Sequence, residues 1–148
     1  MHYQENRIIG YLFSILVAAG YYSFHVIQKY QEGNIDSTTI SSYWGSVILI
    51  AFAVQLVLSI FIGILFSFFP ASTRREKDIS LSDERDHLIQ LKADRISHAV
   101  FGFGFLLAMI ALAVGLQPLV MFNLIVYSVF SAGIVGFVTQ LYLYRRGF

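Results

Sequence analysis

Four long apolar stretches, separated by polar segments of very unequal length, dominate the chain. The first, 8–27, contains no acid, Lys or Arg and matches the ~20 residues an α-helix needs to cross a hydrocarbon core. Arg7, the apolar run as far as Val17 and the small pair Ala18-Ala19 also have the form of a cleavable signal peptide. The apolar run continues well past that cut, which favours a membrane span. Gln28 to Ser42 is rich in Asn, Asp, Ser, Thr and Gly, and nothing in it is periodic or apolar enough for a buried element. It reads as an exposed loop.

The second stretch, 43–69, would be ~40 Å long as a helix and should tilt or protrude from a ~30 Å core, with Pro70 marking its end. A charged segment, 70–96, precedes the third stretch at 97–116. Gly115-Leu116-Gln117-Pro118 then offers a helix-terminating glycine and a proline that cannot continue the same helix. The third helix and the fourth, 119–144, should therefore form an antiparallel hairpin. Arg145-Arg146 follows as a basic anchor outside the membrane. The pattern predicts an all-α polytopic membrane protein, a single domain over 1–148 with four transmembrane helices.

Composition agrees: 57% of the 148 residues are hydrophobic, 13% are charged and the mean hydropathy is +0.67, well above a soluble domain. A net charge of +1 gives no global field to attract nucleic acid or an acidic substrate. The absence of cysteine removes disulfides, thiolate metal sites and cysteine nucleophiles, and no enzyme motif is visible. Distribution of charge says more than its sum. Arg7, Arg74, Arg75, Lys77, Arg85, Lys92, Arg95, Arg145 and Arg146 fall on one side of a four-span topology and Lys29 alone on the other. That asymmetry predicts cytoplasmic N and C termini and a cytoplasmic 70–96 loop. Tyr21, Tyr22, Tyr30, Tyr43 and Trp44 then read as an outer aromatic belt, and Phe66, Phe68, Phe69, Tyr142 and Tyr144 as an inner one.

Helices in lipid meet where small residues let backbones approach or where polar side chains find each other. Ala51, Gln55, Ser59, Gly63 and Ser67 recur at four-residue spacing on the second span, and Ser128, Ala132, Gly136 and Gln140 on the fourth. The first span offers Gly10, Ser14 and Ala18, and the third Gly104 and Ala108. These stripes read as packing seams within one bundle; a homodimer seam would require the same residue types.

The intramembrane polar set is His25, Gln55, Asn123 and Gln140, with no acid or base at mid-depth, which argues against a coupled pump. His25 and Asn123 should sit toward the outer surface. A haem would want paired axial ligands, and His98 lies a membrane thickness from His25. Asp83/His87 and Asp94/His98 invite a metal reading, but two separated pairs lack the convergent ligands a metal wants. No cofactor is expected.

The charged segment carries Ser82-Asp83-Glu84-Arg85-Asp86-His87 and runs without Pro or Gly into the third span. Ser80 or Ser82 can cap a helix there, and the acids suit its N-terminal end, so the third helix should project into the cytoplasm. Leu88, Leu91 or Lys92, and Ile96 give the projection an apolar face that wants cover. From Arg74 to Arg95 the six bases (Arg74, Arg75, Lys77, Arg85, Lys92, Arg95) balance six acids (Glu76, Asp78, Asp83, Glu84, Asp86, Asp94), which argues against direct DNA binding. Asp83, Glu84 and Asp86 have no Lys or Arg three or four residues on, and the only complementary neighbour at that spacing is His87, for Asp83 and Glu84. The motif is thus left to clamp against Arg74 to Lys77, to pair with a second subunit, to bind a soluble partner, or to remain a solvated elbow.

Asp83-Glu84-Arg85-Asp86, followed by Ile89, Lys92-Ala93 and Ile96-Ser97, resembles a group of small, uncharacterised bacterial four-helix integral membrane proteins with a cytoplasmic D-E-R-D motif. The resemblance implies a bacterial cytoplasmic (inner) membrane location. Its members often lie beside genes for small helix-turn-helix regulators, which implies a transcriptional regulator as partner and supplies no catalytic residue.

Two functions fit. The first is a non-enzymatic module whose Asp83, Glu84, Arg85, Asp86, Lys92 and Arg95 dock a cytoplasmic protein. The second is a small carrier or lipid-binding bundle using the Gln55/Gln140 interior. The topology is testable in this cysteine-free chain by introducing Gly33→Cys or Gln90→Cys. An impermeant thiol reagent applied to intact cells should label position 33 and spare position 90; the reverse result overturns the orientation.

Overall fold

A computed structural model describes residues 2–32, 37–68 and 76–146. Four helices make up these residues: α1 (His2–Glu32), α2 (Ser37–Ser67), α3 (Glu76–Ala113) and α4 (Pro118–Arg145). Each is long and apolar enough to cross a membrane, so the chain is an all-α, four-helix membrane protein. Large side chains such as Phe13, Phe24, Leu49, Phe61 and Phe103 are exposed on its flanks, a surface that lipid covers and water would not tolerate.

Three helices begin or end beyond their apolar stretches. The segment Gln28 to Ser42, expected as a loop, is helical through Glu32 and again from Ser37. A helix leaving lipid needs no apolar residue to continue; it needs only the absence of a breaker, and none occurs before Gly33. Residues 33–36 lie outside the described residues, as do Phe69, Pro70 and the basic pair Arg74-Arg75. Likewise α3 begins at Glu76, ahead of the expected caps Ser80 and Ser82. At 38 residues it is ~57 Å long, far more than a ~30 Å core requires.

The α3–α4 turn is built by its own residues. Gly115 has φ +81°, a conformation open to glycine at little cost. Leu116 N–H donates to Ala111 O (3.1 Å) and Gly115 N–H to Leu112 O (3.0 Å), the paired bonds of a Schellman motif that satisfies the last carbonyls of the helix. Pro118 then opens α4, where its missing N–H costs nothing.

In the bundle, α1 and α4 pack on each other, α2 flanks α1 and α3 flanks α4. Correspondingly 28% of the α1 span and 33% of the α4 span are buried, against 11% for α2 and for α3. Small residues set the spacing. A Cβ on Gly104 would overlap the Ser128 hydroxyl and stand 2.6 Å from its Cβ, and one on Gly136 would overlap the Ser97 hydroxyl. Ser97 Oγ donates to Ala132 O (2.9 Å), and Ala108 is fully buried. Between α1 and α2, a Cβ on Gly10 would lie 3.2 Å from Ile62, while Ser14, Ala18 and Ala51 are buried. Gly63 is looser: its nearest neighbour would be the Tyr11 hydroxyl at 3.5 Å. Gly133 meets Ile15 across α1 and α4.

These rungs fix the vertical register. On α3 and α4, Gly104 is level with Ser128, Ser97 with Ala132 and Gly136, and Ile89 with Tyr144. The stretch 90–96 of α3 therefore lies beside 137–143 of α4.

Gly102 and Gly104 share a helix, but a Cβ on Gly102 would meet nothing within 4 Å. Gly104→Leu should cost about 1–3 kcal/mol of stability through overpacking, whereas Gly102→Leu should be neutral or slightly stabilising. Thermal unfolding in detergent compares them.

Candidate functional site

Polar side chains inside the bundle gather at three levels. The first is near the α3–α4 turn, where Tyr22 is fully buried and donates its hydroxyl to Asn123 Oδ1 (2.6 Å), while Asn123 Nδ2 donates to Leu119 O (3.0 Å). Trp44, Tyr127 and Phe130 ring Tyr22 with centroids 5.6–6.1 Å away. His25 Nδ1 shares a 3.0 Å hydrogen bond with the Tyr43 hydroxyl, and Lys29 Nζ lies 4.6 Å over the Tyr43 ring. Tyr127 donates to Ser23 Oγ (3.2 Å). This is an aromatic latch joining α1, α2 and α4. It corrects the aromatic-belt expectation for Tyr22 and Trp44, which are buried in protein because a buried tyrosine can satisfy its hydroxyl on a neighbouring helix as well as at an interface. The side chain of Tyr30 lies outside the described residues.

The second level is mid-bundle. Gln55 Nε2 donates to Ser14 Oγ (3.2 Å) and Ser59 Oγ (3.3 Å), and Ser14 Oγ donates to Tyr11 O (2.8 Å). Gln55 Oε1 is enclosed without a partner among the described residues. The amide thus ties α2 to α1; Ser67's side chain lies outside the described residues.

The third level, at the end carrying the helix termini His2 and Arg145, is the one with chemical capacity. The Tyr144 hydroxyl donates to the Asp86 carboxylate, and the Arg7 and Arg85 guanidinium groups lie within electrostatic reach of it. Ile8, Ile89 and Tyr144 are buried together, and Tyr11 stacks on Phe137 with centroids 5.9 Å apart. Between α1, α3 and α4 they leave a cavity of about 160 Å³ whose polar wall is Arg7, Tyr11, Asp86, Gln90, Gln140 and Tyr144. Gln140, read from its spacing as a packing residue alongside Ser128, Ala132 and Gly136, thus faces open space. Tyr144 is likewise inside the bundle and not on its aromatic rim.

The charged motif divides between two faces of α3. Arg85 and Asp86 are half-buried, while Glu84, Lys92 and Arg95 are exposed; the side chain of Asp83 lies outside the described residues. The face covered by the bundle is Ile89 and Ala93, both fully buried, and Leu88, Leu91 and Ile96 are 53%, 51% and 43% exposed. This corrects the expected covered face by about one residue of rotation. Both sets recur at three- and four-residue spacing, and the small Ala93, which lets α4 approach, decides between them. Leu88, Leu91, Lys92, Asp94, Arg95 and His98 line an open groove on the outer side. His98 Nδ1–H donates to Asp94 O (2.7 Å) within the helix. Among the described residues no three of His, Asp and Glu converge on a point.

The Tyr22–Asn123 bond is buried and the Tyr127–Ser23 bond exposed. Tyr22→Phe should lower stability by about 1–2 kcal/mol, since it strands a buried carbonyl oxygen, and Tyr127→Phe by clearly less. Parallel thermal melts in one detergent measure both. No family model, curated protein or solved structure matches this chain.

Proposed function

We propose that the protein is a non-enzymatic membrane module that docks a cytoplasmic protein, in the first instance a transcriptional regulator, on the outer face of α3. One observation carries the reading. Lys92, Asp94, Arg95 and His98 are exposed on α3 at the level where α4 presents Val138 and Leu141, α1 presents Ile9, and α2 presents Ile64 and Leu65. At that level α2 and α4 turn apolar side chains outward, whereas α3 turns charge outward. Lipid covers charges poorly at such a depth, whereas a protein partner can pair with Asp94 and Arg95 and also cover Leu88 and Leu91, an apolar core with a charged rim.

The distribution of Lys and Arg supports a cytoplasmic position for this end in a bacterial inner membrane. Asp86 takes a different part: accepting from Tyr144, it holds α3 against α4 and so orients the docking face. The carrier alternative draws less support from the interior, where Gln55 is engaged by Ser14 and Ser59.

Reversing Arg95 alone (Arg95→Glu), which is exposed, should abolish stoichiometric copurification of the partner from native membranes while leaving the melting temperature nearly unchanged. Asp86→Asn should instead lower the melting temperature. A photocrosslinker at Leu91 identifies what covers the face: a second copy of this chain would replace the regulator by a homodimer, and crosslinks to lipid alone would overturn docking.

A further inference from the structure

The cavity at the His2/Arg145 end is independent of the docking face, because it opens on the inward side of α3. Among the described residues, its Arg7 guanidinium, Tyr11 hydroxyl, and Gln90 and Gln140 carboxamides make no side-chain hydrogen bond. Arg7 and Gln90 stand exposed at its rim and Tyr11 and Gln140 half-buried in its wall, so their donors are available to a ligand that accepts hydrogen bonds. The charges narrow what that is. Arg85 keeps Nε and Nη2 enclosed and, among the described residues, without a partner, and it and Arg7 both lie within electrostatic reach of Tyr144. Among the described residues the one acid lining the cavity, Asp86, already accepts from Tyr144, while Arg7 lines it and Arg85 lies beside it within electrostatic reach of the same Tyr144. A ligand here must bring negative charge and several acceptor oxygens, the chemistry that guanidinium groups match best.

Size and place narrow it further. At about 160 Å³ the cavity is roughly half the smallest ordinary small-molecule pocket, too small for an acyl chain or a nucleotide and suited to one compact anion. It lies one helical turn inside Arg145, where head groups meet the hydrocarbon, and its remaining wall, Ile8, Ile89 and Phe137, is apolar. The geometry points to a phosphate-binding site, occupied by the phosphodiester of a lipid head group, with Arg7 as the main cation, Arg85 as the flanking one, and Gln90, Gln140 and Tyr11 as neutral donors. Asp86, held by Tyr144, positions α3 so that the cavity stays open.

The test uses the full chain, delipidated in a neutral detergent, with its thermal midpoint followed during separate titrations with short-chain phosphatidylglycerol, inorganic phosphate, and the matching uncharged diacylglycerol. A saturable rise with phosphatidylglycerol at one per chain, and none with diacylglycerol, is expected. Arg7→Gln and, independently, Gln90→Leu on the exposed rim should each weaken that binding about tenfold, while Arg145→Gln, a cation at the same end outside the cavity, should leave it unchanged. Inorganic phosphate producing the same rise, equally sensitive to Arg7→Gln, would keep the phosphate site and reassign its source to the free ion. No saturable rise with either phosphate compound, or an equal loss in Arg145→Gln and Arg7→Gln, would overturn the site and leave only surface attraction between a basic helix end and anionic lipid.

Discussion

Backbone approach between α3 and α4 is the constraint from which most of this molecule follows. Lipid supplies no hydrophobic drive for helices to associate, so contact depends on how near the main chains can come. At Gly104 and Gly136 the space a Cβ would need is taken by serine side chains of the facing helix. Once those serines are seated, α3 cannot slide or rotate on α4 without collision, and the vertical position of every residue on its charged half is settled. Ile89 and Ala93 must turn inward; Lys92, Asp94 and Arg95 must turn outward. The distinction between an orienting Asp86 and an exposed Glu84 is thus a remote effect of two glycines on the apolar half.

Local signals in the chain were easy to read and phase was not. Gly115 and Pro118 announce a turn because one supplies a left-handed residue and the other cannot prolong a helix, and both act within a few residues. Four apolar stretches of membrane-spanning length announce four helices for the same reason. Helix ends in water carry no such mark: residues 28–32 look like loop because periodicity reports packing, and a helix surrounded by solvent need not be periodic. Leu88/Leu91 against Ile89/Ala93 is a choice between two stripes separated by about 100° of rotation, both with legitimate spacing, and only the partner helix selects one. Tyr22, Trp44 and Tyr144 have composition suited equally to a membrane rim and to a protein interior. The small-residue stripes were visible from spacing, but not which helix each one meets, nor that Gln140 opens onto a cavity.

The three polar levels differ in how completely they are satisfied, and the gradient runs along the bundle. Tyr22 and Asn123 form a closed pair, so that level acts as a fastening. Gln55 is satisfied on its nitrogen and stranded on its oxygen, a modest cost in a seam that otherwise packs well. At the other end, Arg85 Nε and Nη2 are enclosed and unpaired among the described residues. The bundle is thus closed at one end and, among the described residues, incompletely satisfied at the other.

The uninterrupted course of α3 has a mechanical consequence. From Glu76 to Ala113 it contains no proline and no break, and its two glycines, Gly102 and Gly104, lie beyond the charged segment on the apolar side. Ser97, two residues beyond Arg95, is the first point after it at which α4 grips that shaft, through its bond to Ala132 O and its seat against Gly136. A couple applied at the charged end is therefore met within one turn, and the Gly104–Ser128 contact two turns further on is shielded from it.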